Sequence, residues 1–248
     1  MHRFFVTEDS VREGKVVFRG EDAHQINRVL RLSPGDRLCA VLVDGREFVV
    51  EIGLITQDTI IARIVGTVER RTESPVRVTL LQGLPKGDKI DYIVQKCTEL
   101  GIDRLVLAVC ARSVPRWEER RAKDKISRLT RIACEAAEQS GRLRVPSILG
   151  LFSFEEAVNR LATGGLMLIP WEEYRGKGIK DVLRAARSAK EVSVIIGPEG
   201  GFDPKEVRAA MDAGATPVRL GPRVLRTETA AVVAVSMVLY ELGDLGEG

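Results

Sequence analysis

Two apolar runs near the C-terminal end of this chain each break at a glycine-proline turn and resume as a helix. The first reads Val192-Ser-Val-Ile-Ile-Gly-Pro-Glu-Gly-Gly-Phe-Asp-Pro, the second Val218-Arg-Leu-Gly-Pro-Arg-Val-Leu-Arg-Thr-Glu-Thr-Ala-Ala. A strand that ends in Gly-Pro-Glu-Gly-Gly must turn sharply. Glycine accepts positive φ there and lets a ligand reach bare backbone. In α/β sheets ligands collect outside the carboxyl ends of strands. One such turn is an ordinary strand–helix connection. Two of them, with Glu199, Arg223, Arg226 and Glu228 all placed at turns, read as one site.

The pattern upstream divides the chain. Residues 1–72 carry short strand candidates at Arg3–Val6, Lys15–Phe18, Arg37–Val43, Phe48–Ile52 and Thr59–Val65, with one helix over Glu21–Leu30. Asp44-Gly45 between two of these runs is a hairpin signal. The set predicts a small β-barrel, and the charged stretch Glu69–Pro75 reads as a linker. From residue 73 to 248 strands and helices alternate. Strands are expected at Val76–Leu81, Leu105–Val109, Leu166–Ile169, Val192–Ile196 and Val218–Leu220. Ile90, Ile93, Val94, Cys97 and Leu100 share one helix face, closed by Gly101 as a C-cap. A long helix runs over Trp117–Ser140, Ser153 and Glu156 form a capping box for a helix to Leu161, and another helix spans Ile179–Arg187. Asp203-Pro204 opens the next, and Thr227 caps the last. This alternation predicts an α/β domain with a parallel sheet covered on both faces.

Several chemistries are excluded. The four cysteines are not spaced as CxxC and the two histidines lie in the β-rich part, so neither a metal site nor a Ser-His-Asp arrangement is expected. Isolated cysteines in apolar surroundings are core residues of a cytoplasmic protein. No basic segment followed by an apolar stretch opens the chain, so no signal peptide is expected. The longest apolar run, Ala230–Leu239, is shorter than a membrane helix. The first strand of the α/β part leads into Gln82-Gly-Leu-Pro-Lys-Gly-Asp-Lys, which is neither a dinucleotide fingerprint nor a P-loop. The net charge is only +3, but basic residues crowd between Arg112 and Arg144. Some of these belong to a solvated helix face; clustered arginines beside a ligand site also suit a phosphate backbone.

In chain order, Arg3-Phe-Phe-Val, Arg28-Val-Leu-Arg, Lys86-Gly-Asp-Lys, Gln95-Lys-Cys-Thr-Glu-Leu-Gly101, Arg112-Ser-Val, Glu135-Ala-Ala-Glu-Gln-Ser-Gly-Arg142, Ile196-Gly-Pro-Glu-Gly-Gly-Phe202 and Leu220-Gly-Pro-Arg-Val-Leu-Arg-Thr-Glu-Thr-Ala230 resemble the RsmE family of ribosomal RNA uracil-N3 methyltransferases. The resemblance covers almost the whole chain, and its last two motifs are the most specific. Gln25 after His24 departs from the family pattern. The resemblance implies an N-terminal PUA-like barrel and a C-terminal SPOUT domain with a trefoil knot. It further implies a cytoplasmic homodimer that uses S-adenosylmethionine to methylate N3 of one uridine in 16S ribosomal RNA, with the assembled small subunit as substrate. A SPOUT ribose 2′-hydroxyl methyltransferase and a non-catalytic RNA-binding module are the competing classes.

The same resemblance implies where the site lies. Three loops would hold the cofactor: Leu168, Pro170 and Glu172 from the first; Ile196, Gly197, Gly200 and Gly201 from the second; Leu220, Gly221, Leu225 and Arg226 from the third. Arg226 would stabilise a uracil anion electrostatically, and Glu199 or Glu228 would accept the N3 proton. Contacts to RNA are expected from Arg3, Lys86, Lys89, Arg112, Arg116 and Arg142.

Overall fold

A computed structural model describes residues 1–115, 117, 119–162 and 164–246. The chain divides into two compact units, Met1–Glu73 with Ala137–Val145, and Ser74–Ala136 with Pro146–Gly248. The sequence pattern assigns 137–145 to the second domain. It joins the first because Glu73 holds it there, accepting from Arg142 Nη2 at 2.7 Å and from the Leu143 N–H at 2.8 Å.

The first unit is built on β1 (Arg3–Val6), β2 (Val11–Arg12), β3 (Lys15–Arg19), α1 (Gly20–His24), β4 (Arg37–Leu42), β5 (Glu47–Ile55) and β6 (Thr59–Val68). The sheet order is β1-β4-β5-β6-β3-β2. Only β1 and β4 run parallel; the other pairs are antiparallel. Asp44-Gly45 makes the β4–β5 turn, with the Gly45 N–H donating to Leu42 at 2.9 Å. Phe4, Phe18, Leu38, Leu42, Val50, Ile52 and Ile60 fill the core. The helix expected over Glu21–Leu30 is one α turn followed by a π turn at Gln25–Val29, closed by Arg31 at φ +54°.

Arg3 does not present itself to RNA, which corrects the expectation for this residue. It points inward, donating through Nη1 to Glu47 Oε1 at 2.7 Å and through Nη2 to the Arg142 carbonyl at 2.8 Å. Arg70 Nε completes the group 3.2 Å from the other Glu47 oxygen. Arg142 is likewise buried and paired with Glu73, so its expected RNA contact is corrected too. Two guanidiniums read as surface charge are internal struts, because a buried carboxylate needs a partner charge and hydrogen bonds.

The second unit contains β7 (Arg77–Gly83), α2 (Lys89–Leu100), β8 (Arg104–Val109), α3 (Glu119–Ser140), β9 (Ser147–Ser153), α4 (Phe154–Leu161), β10 (Leu166–Pro170), α5 (Ile179–Ala185), β11 (Glu191–Ile196), α6 (Pro204–Asp212), β12 (Thr216–Val218) and α7 (Thr227–Leu242). All six strands run parallel, in the order β12-β10-β11-β7-β8-β9. Helix α7 packs on β7 and β11 and carries α2 and α5; α4 packs on β7, β8 and β9 and meets α6. Leu81, Val106, Ala108, Phe154, Val158, Phe202 and Val207 form the core on the α4–α6 side. Strand β9 has no clear sequence signal because it is an edge strand, paired only with β8 and interrupted by Gly150. Strand β12 ends before Arg219 rather than at Leu220. Arg219 leaves the sheet to pair with the 177–179 segment, its N–H donating to Lys177 at 3.2 Å and its carbonyl accepting from Ile179 at 2.9 Å. Cys39, Cys97 and Cys110 are core residues, and burial pushes the Cys97 and Cys110 thiols up to about 12. No described helix is long and apolar enough to cross a membrane.

Breaking a buried ion pair by removing one partner costs about 3–5 kcal/mol. Arg3→Ala should therefore lower the stability of the first unit by that order in urea unfolding. Arg37→Ala, which loses only the exposed pair with Glu51, should change it by less than about 1 kcal/mol.

Candidate functional site

Strands β12, β10 and β11 are neighbours, so their C-terminal ends open on the same edge of the sheet. The loops that leave them surround a cavity of about 720 Å³. Pro170, Ile196, Phe202, Leu220, Leu225 and Ala230 give it apolar surface; Glu172, Glu199 and Lys89 give it charge; Arg175, Arg219, Arg223 and Arg226 also line it. Arg223 and Arg226 are exposed and mark its mouth. Gly201 takes φ +68°, and a Cβ there would collide with Glu172 Oε1. The glycine lets the second loop pass close beneath the first.

The loops are tied together behind the cavity by one hydroxyl. Thr227 Oγ1 donates to the Gly197 carbonyl at 2.6 Å and accepts from Gln82 Nε2 at 2.9 Å. Gln82 is fully buried at the end of β7 and also donates to the Gly83 carbonyl at 2.8 Å. This corrects the expectation for Thr227. The N-cap of α7 is Arg226, Thr227 is the first helical residue, and its side chain bonds across the site instead of along its own helix.

Charge is sorted around the cavity. Lys89 Nζ lies 2.9 Å from Glu199 Oε1 and 3.5 Å from Glu228 Oε2. Glu199 also accepts from the Lys86 N–H at 3.0 Å. Burial raises the Glu199 pKa, but the Lys89 hydrogen bond, the N–H donors of Glu199 and Lys86, and the charge of Lys89 outweigh it. They hold the carboxyl below its ordinary value. Lys89 is held above its own ordinary value, first by its hydrogen bond to Glu199. By contrast, no carboxylate pairs with the side chains of Arg219, Arg223 or Arg226 among the described residues. Trp171 also lines the cavity, and its Nε1 is shielded from water without a hydrogen-bond partner among the described residues.

The sequence-derived set divides as follows. Pro170, Glu172, Ile196, Gly197, Gly201, Leu220, Gly221, Leu225 and Arg226 line the cavity, as does Glu199. Leu168 does not; it is fully buried in the sheet. Gly200 does not either, since a Cβ there would meet Arg112 Cβ at 2.9 Å, and Arg112 Nη1 donates to its carbonyl at 3.2 Å. Glu228 sits in the first turn of α7, behind Lys89 and off the cavity wall. Lys89, expected on RNA, is engaged by the two glutamates. Lys86 and Arg112 keep exposed side chains, and Arg116 lies outside the described residues. Trp171 falls within the expected first loop, 168–172, without a role of its own, and Gln82, Arg175 and Arg219 lie outside the expected set. The signal available for Trp171 was its position directly after a strand end; Gln82 offered none, because its role depends on two residues distant in sequence.

Residues 72–239 match the family model of the RNA methyltransferase domain. The chain is 33% identical over 248 residues to ribosomal RNA small subunit methyltransferase E of Bacillus subtilis, covering 97% of each protein. It is 36% identical over 233 residues to the protein of that name from Mycobacterium bovis, covering 90% of this chain and 85% of the relative. Among solved structures it is similar to ribosomal RNA small subunit methyltransferase E from Neisseria gonorrhoeae bound to S-adenosyl methionine, with TM-score 0.90, 28% identity and 98% and 99% of the two chains covered. A Legionella pneumophila methyltransferase in complex with the same cofactor matches with TM-score 0.90 and 30% identity, over 98% of each chain.

Two outcomes follow from the geometry. Thr227→Val removes the 2.6 Å donor of the Gly197 carbonyl and one of the acceptors of Gln82 Nε2, which keeps the Gly83 carbonyl; the loss should cost about 1–3 kcal/mol in urea unfolding, and Thr227→Ser should recover most of it. The Glu199 carboxyl, titrating below its unfolded-chain value, adds stability that is present at neutral pH and lost as pH falls through its depressed pKa. In Lys89→Met, ¹³C NMR of the carboxyl should show Glu199 titrating at higher pH than in the unaltered protein.

Proposed function

The chain belongs to the family of ribosomal RNA small subunit methyltransferase E, and from that membership we propose that it uses S-adenosylmethionine to methylate N3 of a uridine in 16S ribosomal RNA of the small subunit. The observation that carries this reading is the cavity at the ends of β10, β11 and β12, where bare backbone and apolar surface converge with Arg219, Arg223 and Arg226, which have no carboxylate partner among the described residues. Its volume is in the range of small-molecule sites. The residues fit the cofactor: Ile196, Leu220 and Leu225 offer apolar surface for an adenine, Trp171 Nε1 is a shielded donor still lacking an acceptor, and Glu172 and Glu199 provide anionic surface for a cationic ligand. When bound, S-adenosylmethionine supplies an electrophilic methyl group.

The chain's own residues must make uracil N3 nucleophilic by separating it from its proton. Arg226 lines the cavity, is exposed at its mouth and carries no carboxylate partner among the described residues. Its guanidinium is therefore available to stabilise negative charge on the uracil ring. Of the two glutamates, Glu199 reaches the cavity wall and is the one positioned to take the N3 proton, directly or through water. Lys89 and the Lys86 N–H keep it ionised but make it a weak base. The step therefore leans on Arg226, since stabilising the uracil anion eases proton loss to a weak acceptor. Glu228 serves by holding Lys89.

Three coarser features extend the reading. Membership of the family supports a trefoil knot in the second unit, and the six-stranded first unit supports a PUA-like barrel. Exposed Tyr92 on α2 and Tyr240 on α7 leave aromatic surface that two copies would bury in a homodimer. Exposed Lys86 and Arg112 are the cations of the sequence-derived set still available to RNA, and ribosomal RNA as substrate supports a cytoplasmic location.

The test is single-turnover methylation of purified unmodified small subunits, with mass-spectrometric mapping of the modified nucleoside. N3-methyluridine supports the assignment; a ribose-methylated product overturns it. Arg226→Ala should lower the transfer rate by about 10²–10³ while cofactor affinity in calorimetry falls much less. A near-normal rate at saturating cofactor would remove Arg226 from the chemistry.

A further inference from the structure

We propose that the loop Gly221–Arg226 grips unpaired RNA at the mouth of the cavity, with Arg223 on backbone phosphate and Val224 packed against bases left unstacked when the target nucleotide enters. This rests on the RNA methyltransferase reading above.

Val224 is 83% exposed, more than any other large apolar side chain described. A branched aliphatic group left in water beside a ligand cavity gains by contact with another apolar surface. Its neighbours define which surface. Arg223 precedes it and Arg226 follows closely; both are exposed, line the same cavity, and have no carboxylate partner among the described residues. Elsewhere the arginines are commonly neutralised: Arg3 by Glu47, Arg37 by Glu51, Arg128 by Asp91 and Arg142 by Glu73. An apolar tip between unneutralised guanidiniums suits a polyanion that also presents flat apolar faces. Unpaired RNA has that combination.

The loop projects from an anchored end. Pro222 restricts the backbone just after Gly221, which takes φ +148° with open space around it. Leu225 is half-buried, and Thr227 is locked to Gly197 and Gln82. The charges give RNA a direction of approach. Glu172 and Glu199 line the cavity and repel phosphate, whereas Arg219, Arg223 and Arg226 attract it. A nucleotide entering base-first meets the acidic wall with its base and leaves its phosphates at the arginines. Taking a base out of its stack requires a substitute contact for the neighbours it leaves, a role that apolar side chains fill in other nucleic-acid complexes.

The proposal is tested with Val224→Gly, Val224→Leu and Arg223→Ala, using unmodified small ribosomal subunits as the probe. Val224→Gly should slow single-turnover methylation by about tenfold or more, with cofactor affinity and thermal midpoint unchanged; Val224→Leu should restore the rate. Arg223→Ala should weaken subunit binding and reduce its salt slope by about one. An unchanged rate in Val224→Gly overturns the stacking role, and an unchanged salt slope in Arg223→Ala overturns the phosphate contact. Loss of cofactor affinity in Val224→Gly would assign Val224 to the cofactor site instead. A shift from dimer to monomer in sedimentation of that variant would assign the loop to a second copy of this chain. The binding arm needs no turnover, so it decides the phosphate contact even if the unaltered protein transfers no methyl group to these subunits, in which case the functional reading is what fails; the affinity of Val224→Gly for the same subunits then reads the apolar contact, and an unchanged affinity overturns it.

Discussion

The hydroxyl of Thr227 joins the parts of the second unit that have to agree for the cavity to exist. It connects the end of β7 through Gln82, the loop after β11 through the Gly197 carbonyl, and the start of α7 to which it belongs. Each partner is buried or nearly so, and a buried polar group without a partner is more costly than the bond itself is favourable. The three segments are therefore not independent. Moving α7 would take one acceptor from Gln82 and the short hydroxyl donor from the Gly197 carbonyl. Apolar burial along α7, through Ala231, Ala234, Val235, Val238 and Leu239, supplies the bulk of the cohesion; the hydroxyl sets the register in which that helix meets the loops.

Charge around the cavity follows from the same arrangement. Lys89 opens α2 and reaches Glu199 and Glu228, which come from a different loop and a different helix. The cluster carries two carboxylates and one ammonium, so it is anionic overall. The third loop carries arginines with no acidic partner among the described residues. Segregation of this kind forgoes only the small gain of exposed ion pairs, and it is readily understood as preparation for a ligand with two poles. In the first unit the same residue types act in the opposite sense. Arg3 and Arg142 are matched with Glu47 and Glu73 inside the protein, where the pairing orders the backbone and leaves no guanidinium for a partner.

Local chemistry determined much of this protein from sequence. The parallel α/β order, the Asp44-Gly45 hairpin, the Ser153–Glu156 capping box and the Asp203-Pro204 helix start are written in neighbouring residues, since they depend on side chains within a turn of one another. The two glycine turns identified a site for the same reason: a strand end with no side chains must approach something closely. What the sequence could not specify was which distant groups meet. Whether an arginine is a strut or a surface charge depends on a carboxylate many residues away, as Arg3 and Glu47 show against Arg223 and Arg226. Leu168 and Pro170 lie two residues apart on one strand, yet only the tertiary structure decides that Leu168 is core and Pro170 is cavity wall. Thr227 has the pattern of a helix cap, and only the packing of α7 against β7 and β11 turns its hydroxyl toward Gln82 and Gly197. Pattern records the few residues on either side of a position, whereas the energy of a buried hydrogen bond or ion pair belongs to partners that the folded chain alone brings within reach.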